Sequence, residues 1–248
     1  MNNISTQNLN LLPNIENFKK LCKSISVLDA IISQDWESRY YSYQKEWDEN
    51  EEFFEMRNGS GDEIKILFSS NGCVINGFAH ESEMCDWKEI EIKEEKSFFA
   101  KLFGSKEKKT ELVQNISKGV VDSLPNEFHN FIFGEPVKSS GTTFCIWRKQ
   151  SDSNWNVGQI KYPNDDYLDG SSDLMYIFDS NPKTYKDWAE EYFDDTFEDR
   201  TLDIELVEYI YGGGLITKEI VEKINPDIED YEQLKTDLND IGFEHQIE

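Results

Sequence analysis

Residues 39–78 read RYYSYQKEWDENEEFFEMRNGSGDEIKILFSSNGCVINGF, and the pattern of this stretch decides the fold class. It contains four short runs rich in aromatic and β-branched residues, over 39–47, 51–57, 63–68 and 73–78, and the last two runs alternate apolar with polar residues. Asn and Gly between the runs, as in NGSGD and SSNG, are typical of hairpin turns. Four short strands in series predict an antiparallel meander.

Helical patterns flank the meander on both sides. Residues 15–25 carry apolar side chains at helical spacing behind Asn14, a good N-cap residue. A helix is also expected over 111–124, and a second hairpin over 142–160. From about residue 171 the helical period returns and persists to the end of the chain, with Pro182, Thr217 and several glycines at capping positions. The sequence therefore predicts an α+β fold with N-terminal helices, an antiparallel meander and hairpin, and a helical C-terminal third.

We expect residues 1–248 to form a single domain with a helical tail from about residue 171. Within it, residues 94–110 combine lysine clusters with two Phe and Leu pairs. A membrane-touching amphipathic turn is one interpretation of this composition. A mobile connector whose aromatic side chains dock on the body is the preferred one, because a chain of net charge −25 is repelled by anionic lipid.

The N-terminus has no basic region followed by an apolar run, so no signal peptide is predicted. No window approaches the roughly 18–20 apolar residues needed to span a bilayer. The four cysteines show no CxxC spacing, and free thiols are expected. Together these features favour a cytoplasmic protein.

Charge is the strongest compositional signal, with 50 acidic and 25 basic residues. Residues 161–248 alone hold 25 acidic and 7 basic residues, a net charge of −18. A field of this sign argues against nucleic acid and membranes as partners. It leaves two interpretations open: acidity that serves only solubility, and acidity that attracts a basic protein partner.

The segment His80-Glu81-Ser82-Glu83 follows the predicted meander and is the one candidate for acid–base chemistry. His80 and Glu81 are the weak catalytic candidates, and a structural histidine at a strand end is the preferred interpretation. An HEXXH zinc motif fails because Met84 stands where the second histidine is required. We predict no metal site and no cofactor.

The acidic loop NDDYLDGSSD, residues 164–173, invites a calcium interpretation. The EF-hand register puts Tyr167 at the third position and Tyr176 where a bidentate Glu is needed, so that motif fails. We expect instead a turn supplied by Asp and Gly residues, with Ser171 or Ser172 capping the next helix.

Tryptophan and tyrosine are abundant, and acidic residues beside part-exposed aromatic side chains are typical of a surface that binds a basic protein. Within the acidic tail we select four carboxylates as the candidate binding residues, which are Asp194, Asp195, Glu198 and Asp199.

Several strings resemble an uncharacterised bacterial protein family with no assigned activity, over nearly the full length of the chain: DWESRYYSYQKEW, MRNGSGDEIKILF, GFAHES, TTFCIWR, NPKTYKDWAEEYF and LITKEIVEKINPD. The resemblance implies no catalytic residues. The acidity, the cytoplasmic character and the lack of a catalytic motif are also similar to the immunity proteins of bacterial toxin systems.

These features together predict a non-enzymatic protein-binding protein, with neutralisation of a basic toxin as its most specific version. A small-molecule enzyme with a site near His80 and Glu81 is the first alternative, and an adaptor in a larger assembly is the second. The oligomeric state stays open.

Overall fold

A six-stranded antiparallel sheet is the centre of the molecule in the computed structural model, which describes residues 3–91 and 110–247. Its strands follow the spatial order β1-β2-β3-β4-β7-β8. Their bounds are β1 Tyr41–Asp48, β2 Glu51–Arg57, β3 Glu63–Ser69, β4 Gly72–Phe78, β7 Phe144–Lys149 and β8 Asn156–Val157.

The predicted meander and hairpin are confirmed, and they join into one sheet. Hairpin turns connect β1 to β4 in sequence, and Gly72 opens β4 with a φ of +144°, a conformation that favours glycine. Strand β7 then pairs with β4, with Ile75 opposite Ile146. The sequence did not indicate which meander strand the later hairpin would join, because a long chain segment separates them.

Strand alternation divides the core between the two faces of the sheet. Phe54, Ile66 and Ile146 point to one face, where the helices form the larger core cluster. Phe53 and Leu67, on neighbouring positions, point to the other face and pack with a smaller cluster from residues 84 and 120–137. The sheet is therefore buried on both sides.

Helix α1, Ile15–Ile32, is the central helix of the larger cluster. The Asn14 side chain caps it by accepting a hydrogen bond from Asn17 N, as predicted. Every residue from Ser24 to Ile32 is buried. The other helices are α2 His129–Phe133, α3 Val137–Ser140, α4 Ser171–Leu174, α5 Pro182–Tyr192, α6 Asp194–Phe197, α7 Ile204–Tyr211, α8 Lys218–Ile224 and α9 Tyr231–Ile241.

The helical C-terminal third is confirmed, together with the predicted caps of α5, α7, α8 and α9. Pro182 begins α5, Thr217 caps α8, and Gly242 ends α9 in the left-handed region. A two-residue parallel ladder between β9, Ile216–Thr217, and β10, His245–Gln246, holds the chain end.

The expected helix over 111–124 is wrong. Residues Thr110–Gln114 form strand β6, which pairs antiparallel with β5, Trp87–Glu91, and turns follow it. Pairing with a distant strand overrides local helical pattern in such a short segment. The predicted connector over 94–110 lies outside the described residues except for Thr110, which begins β6.

Two further features bear on the sequence predictions. All four cysteines are free thiols. Within the two described ranges, no helix has the length and apolar character needed to cross a membrane.

Candidate functional site

Strand β1 is one end of the sheet, and its outer side faces no other strand within the described ranges. The Tyr40 carbonyl accepts a hydrogen bond from Arg57 N at 2.9 Å, so Tyr40 faces β2. Alternate residues of an antiparallel edge strand point their backbone groups away from the neighbour. Tyr41 and Tyr43 therefore direct their N–H and C=O groups outward.

A cleft of about 280 Å³, here called the β1 cleft, opens along this edge. Its wall is formed by strand β1 itself, by β2, by α1, by α9 and by the segment before β1. The lining residues are Ser26, Trp36, Arg39, Tyr41, Ser42, Tyr43, Gln44, Trp47, Phe53, Glu55, Asp237, Asp240 and Ile241.

Two tryptophans mark the cleft, and both are unusually exposed. Trp36 is 52% exposed, and the Arg57 guanidinium carbon lies 4.1 Å from its ring centroid. Trp47 is 39% exposed and stacks on Phe53, with ring centroids 4.3 Å apart. Exposed tryptophans beside a cavity are typical of binding surfaces.

Charged groups in the β1 cleft are mostly acidic. Arg39 is largely buried and donates to Asp237 Oδ2 at 2.6 Å and to the Ser33 carbonyl at 2.8 Å. Asp240 is exposed, and no cation of the described residues lies within 4.0 Å of its carboxylate. Ser26 adds a buried hydroxyl without a hydrogen-bond partner among those same residues. The Ser26 hydroxyl and the Asp240 carboxylate are thus available to hydrogen-bond or ion-pair with a bound partner.

An aromatic cluster connects the start of β1 to helix α5. Its rings pack with centroid separations of about 5–6 Å, and its members are Tyr40, Tyr41, Tyr185, Trp188, Tyr192 and Phe193. Tyr192 is 39% exposed, and its hydroxyl reaches the Ser38 carbonyl at 3.4 Å. The cluster therefore brings the end of α5 next to the segment that carries Trp36.

Asp29 of α1 lies beneath the aromatic cluster and is completely buried. Its carboxylate accepts hydrogen bonds from Tyr185 Oη at 2.6 Å, Tyr41 N at 2.9 Å and Tyr40 N at 3.1 Å. Burial raises the pKa of Asp29 to about 7. This residue positions the beginning of β1 and so one end of the β1 cleft.

The four predicted binding carboxylates follow Tyr192 directly in the chain. Asp194 and Asp195 begin the short helix α6, and Glu198 and Asp199 come after it. All four are exposed, and no ion pair involves them in the described ranges. These carboxylates therefore adjoin Tyr192 and Phe193 of the aromatic cluster along the chain, and the structure adds the packing of Tyr192 against Tyr40, which the sequence could not show.

His80 follows β4, as expected, and Asp62 holds it. Its Nδ1 lies 2.7 Å from Asp62 Oδ1, and its backbone N–H donates to the same oxygen at 2.8 Å. The hydrogen bond to Asp62 raises the pKa of His80. Nε2 faces Glu81, 3.9 Å away, and Glu81 is exposed. A carboxylate-held imidazole can move a proton, and it can equally fix a turn.

Asp62 in turn accepts from Asn58 Nδ2 at 2.7 Å, so the pair ties the β2–β3 turn to the end of β4. The neighbours Glu83 and Cys85 do not join this pair in any contact of the described residues. The contact between His80 and Asp62 is compatible both with a histidine that fixes a turn and with a histidine that transfers a proton.

The acidic loop 164–173 is a structural element. Asp169 is buried and accepts from Thr6 Oγ1 at 2.5 Å and from Ser171 N at 3.1 Å. Asp169 and Gly170 thus form the turn before α4, as predicted. The predicted serine cap is wrong, because the N-cap residue is Gly170 and the Ser171 hydroxyl donates to Asp169 Oδ1 at 2.7 Å instead. Over the described ranges, no three His, Cys, Asp or Glu side chains are grouped as a metal site would require.

Sequence reasoning did not identify the β1 cleft. Asp237 is 198 positions from Arg39 in the chain, and only folding brings α9 beside β1. One usable signal was present, because Trp36 and Trp47 bracket the first strand of the meander in a stretch of acidic and polar residues.

Comparisons of the chain with protein-family models, with curated proteins and with solved structures find no match.

Proposed function

We propose that this chain is a non-enzymatic binding protein for a basic protein partner, with toxin neutralisation as the most specific version. The observation that carries the proposal is the contact at Tyr192, whose hydroxyl reaches the Ser38 carbonyl at 3.4 Å and so brings the end of α5 to the segment that carries Trp36. Exposed aromatic rings at Trp36 and Tyr192 lie there beside carboxylates that have no cation partner among the described residues.

Aromatic side chains provide the short-range part of such recognition. Tryptophan and tyrosine are enriched among the residues that dominate binding energy at protein interfaces. Trp36 and Tyr192 are already held in place, by Arg57 and by the aromatic cluster respectively. Little side-chain entropy is then lost on binding.

Carboxylates provide the long-range part. Asp194 and Asp195 follow Tyr192 by two and three positions in the chain, and the net charge of −25 extends their attraction. Electrostatic steering raises association rates before contact is made. An acidic surface of this kind complements the basic active-site cleft of a nuclease toxin.

The adaptor alternative differs from this proposal only in the identity of the partner. The enzyme alternative rests on the Asp62–His80 pair, whose Nε2 is available for proton transfer. It requires that His80→Ala abolish a measurable turnover while the protein stays folded.

Capture from the native cell, followed by mass spectrometry, tests the proposal. The baits are the wild type, Trp36→Ala, Asp195→Lys and the control Asp122→Lys. Asp122 is exposed and lies beside Gly158, next to β8 at the opposite edge of the sheet. Asp195→Lys and Asp122→Lys change the net charge equally, so only position distinguishes them.

We expect one basic protein on the wild type and on Asp122→Lys, and its strong depletion on Trp36→Ala and Asp195→Lys. Equal recovery on all four baits would contradict the proposed surface. Recovery of no basic protein on any bait would contradict the proposed function.

A further inference from the structure

We infer that the β1 cleft binds a short extended segment of a basic partner protein, which pairs with β1 as an additional strand of the sheet. This inference rests on the proposed function and specifies how the partner is held. Four features of the described residues support it: the orientation of the backbone at the edge, the cleft beside it, the charge of its lining and the shortness of the opposite edge.

The backbone of β1 is ready for pairing over a short stretch. Tyr43 directs its N–H and C=O outward, by the same alternation that makes Tyr40 face β2. Asp29 already accepts the Tyr41 N–H, which leaves the Tyr41 carbonyl for a partner. Beyond Gln44 the register with β2 shifts, so the regular edge ends there. A segment of three or four residues matches this length.

The cleft lies where this edge is regular. Ser42, Tyr43 and Gln44 line it, and its volume of about 280 Å³ is at the lower end of the range for ligand pockets. Exposed strand edges invite pairing with another chain, and native proteins usually cover or shorten them. Strand β8, the opposite edge, has only two residues, whereas β1 has eight.

Charge selects the occupant. Three carboxylates and one guanidinium line the cleft, from Glu55, Asp237, Asp240 and Arg39. Glu55 is paired with Lys65 at 3.3 Å and Arg57 at 3.4 Å, and Asp237 with Arg39 at 2.6 Å, so the carboxylate left for a partner is that of Asp240. A second copy of this chain would bring another net charge of −25 to the same edge, which disfavours pairing of β1 with β1. A segment with Lys or Arg can instead reach Asp240, which has no cation partner among the described residues.

Hydrophobic contact adds to the fit of such a segment. In an added strand, successive side chains point to opposite faces of the sheet. If a Lys or Arg of the segment points toward Asp240, the residues before and after it point toward the tryptophans of the cleft. Trp47 presents a stacked ring there, supported by Phe53. The Ser26 hydroxyl gives a further polar contact from α1.

The test uses the full-length protein and a phage-displayed library of random 12-residue peptides. A selected peptide is synthesised, and the backbone amides of the protein are followed by NMR hydrogen exchange. We expect the Tyr43 amide to become at least about tenfold more protected with peptide, because it gains a strand partner. The Ser42 and Gln44 amides, which already face β2, should change little.

Two sets of variants complete the test. In an added strand only alternate peptide amides face β1. N-methylation of those amides should weaken binding at least about tenfold, and N-methylation of the intervening amides should weaken it much less. Asp240→Lys should weaken binding at least about tenfold, and the control Asp122→Lys should not.

Each remaining outcome overturns the inference. Selection of no peptide, or selection of peptides without Lys or Arg, would do so. Binding without Tyr43 protection and without the two-residue period would refute strand addition while leaving the proposed binding function intact. A concentration-dependent dimer with Tyr43 protected in the absence of peptide would assign the edge to a second copy of this chain.

Discussion

The buried carboxylate of Asp29 joins α1, β1 and α5 through three hydrogen bonds. Burial raises its pKa from 3.8 to about 7. Because the folded pKa lies above the unfolded one, folding takes up a proton between about pH 4 and pH 7. The stability that Asp29 contributes is therefore complete below about pH 4 and is lost as the pH rises toward 7.

Asp29→Asn should remove this pH dependence. Its carbonyl oxygen can accept from the two backbone N–H groups and its amide can donate to Tyr185 Oη, as a protonated carboxyl does. Urea titrations should show the variant gaining stability relative to wild type as pH rises, by up to about 1.4 kcal/mol per unit, with a plateau above about pH 7. A difference between variant and wild type that stays flat with pH would refute the assignment.

His80 should contribute stability with a pH dependence set by Asp62. The hydrogen bond to Asp62 raises its pKa above the ordinary 6.5, so the contribution is complete below about pH 6.5 and is lost as pH rises through the folded value. His80→Ala should lower the unfolding midpoint in urea more at pH 6 than at pH 8.5. Glu81→Gln should have little effect at either pH, since Glu81 is exposed and 3.9 Å away. An equal loss at both pH values would contradict the pairing.

At the scale of elements, the pairing of β4 with β7 depends on a glycine. Gly77 lies opposite Phe144, and a Cβ at Gly77 would come within 1.9 Å of the Phe144 ring. Phe144 is completely buried and has no room to withdraw. Gly77→Ala should therefore lower the free energy of unfolding by about 1–3 kcal/mol, measured by chemical denaturation.

Gly212→Ala is the matched control for Gly77→Ala. Gly212 has a φ of −73°, and its nearest contact for a Cβ is the Tyr209 carbonyl oxygen at 3.3 Å. We expect a change smaller than about 1 kcal/mol there. Equal losses of unfolding free energy for the two substitutions would show that the Phe144 ring does not exclude a side chain at position 77.

For the whole molecule, the uneven charge predicts how a partner associates. Reversing the four tail carboxylates, Asp194, Asp195, Glu198 and Asp199, to lysine should slow association with the captured basic protein at least about tenfold at low salt. The fold should be largely unaffected, because all four side chains are exposed.

Salt should produce the same effect on the wild type. The Debye length falls from about 10 Å at 0.1 M to about 3 Å at 1 M, so association should slow as salt rises. Stopped-flow measurement of the association rate checks both changes. A rate that responds neither to salt nor to the reversals would mean that the acidity serves solubility, and that recognition depends on the aromatic rings.

The sequence by itself determined the local elements of this protein. Alternation over residues 39–78 and helical spacing after residue 171 depend on neighbours along the chain, and cap residues such as Asn14 and Thr217 act within one turn. The strand over 110–114 escaped prediction because its partner, β5, lies about 20 residues away and pairing overrode the local pattern.

Only the tertiary structure decided which residues share a surface. The packing of α9 beside β1 creates the β1 cleft, and the contact between Tyr192 and Tyr40 brings the end of α5 against the start of β1. It also places Asp62 against His80, 18 positions apart. Such contacts form when the apolar face of one helix or strand packs on that of another. Each apolar face is compatible with many others, so the spacing of residues along the chain does not specify which two will meet.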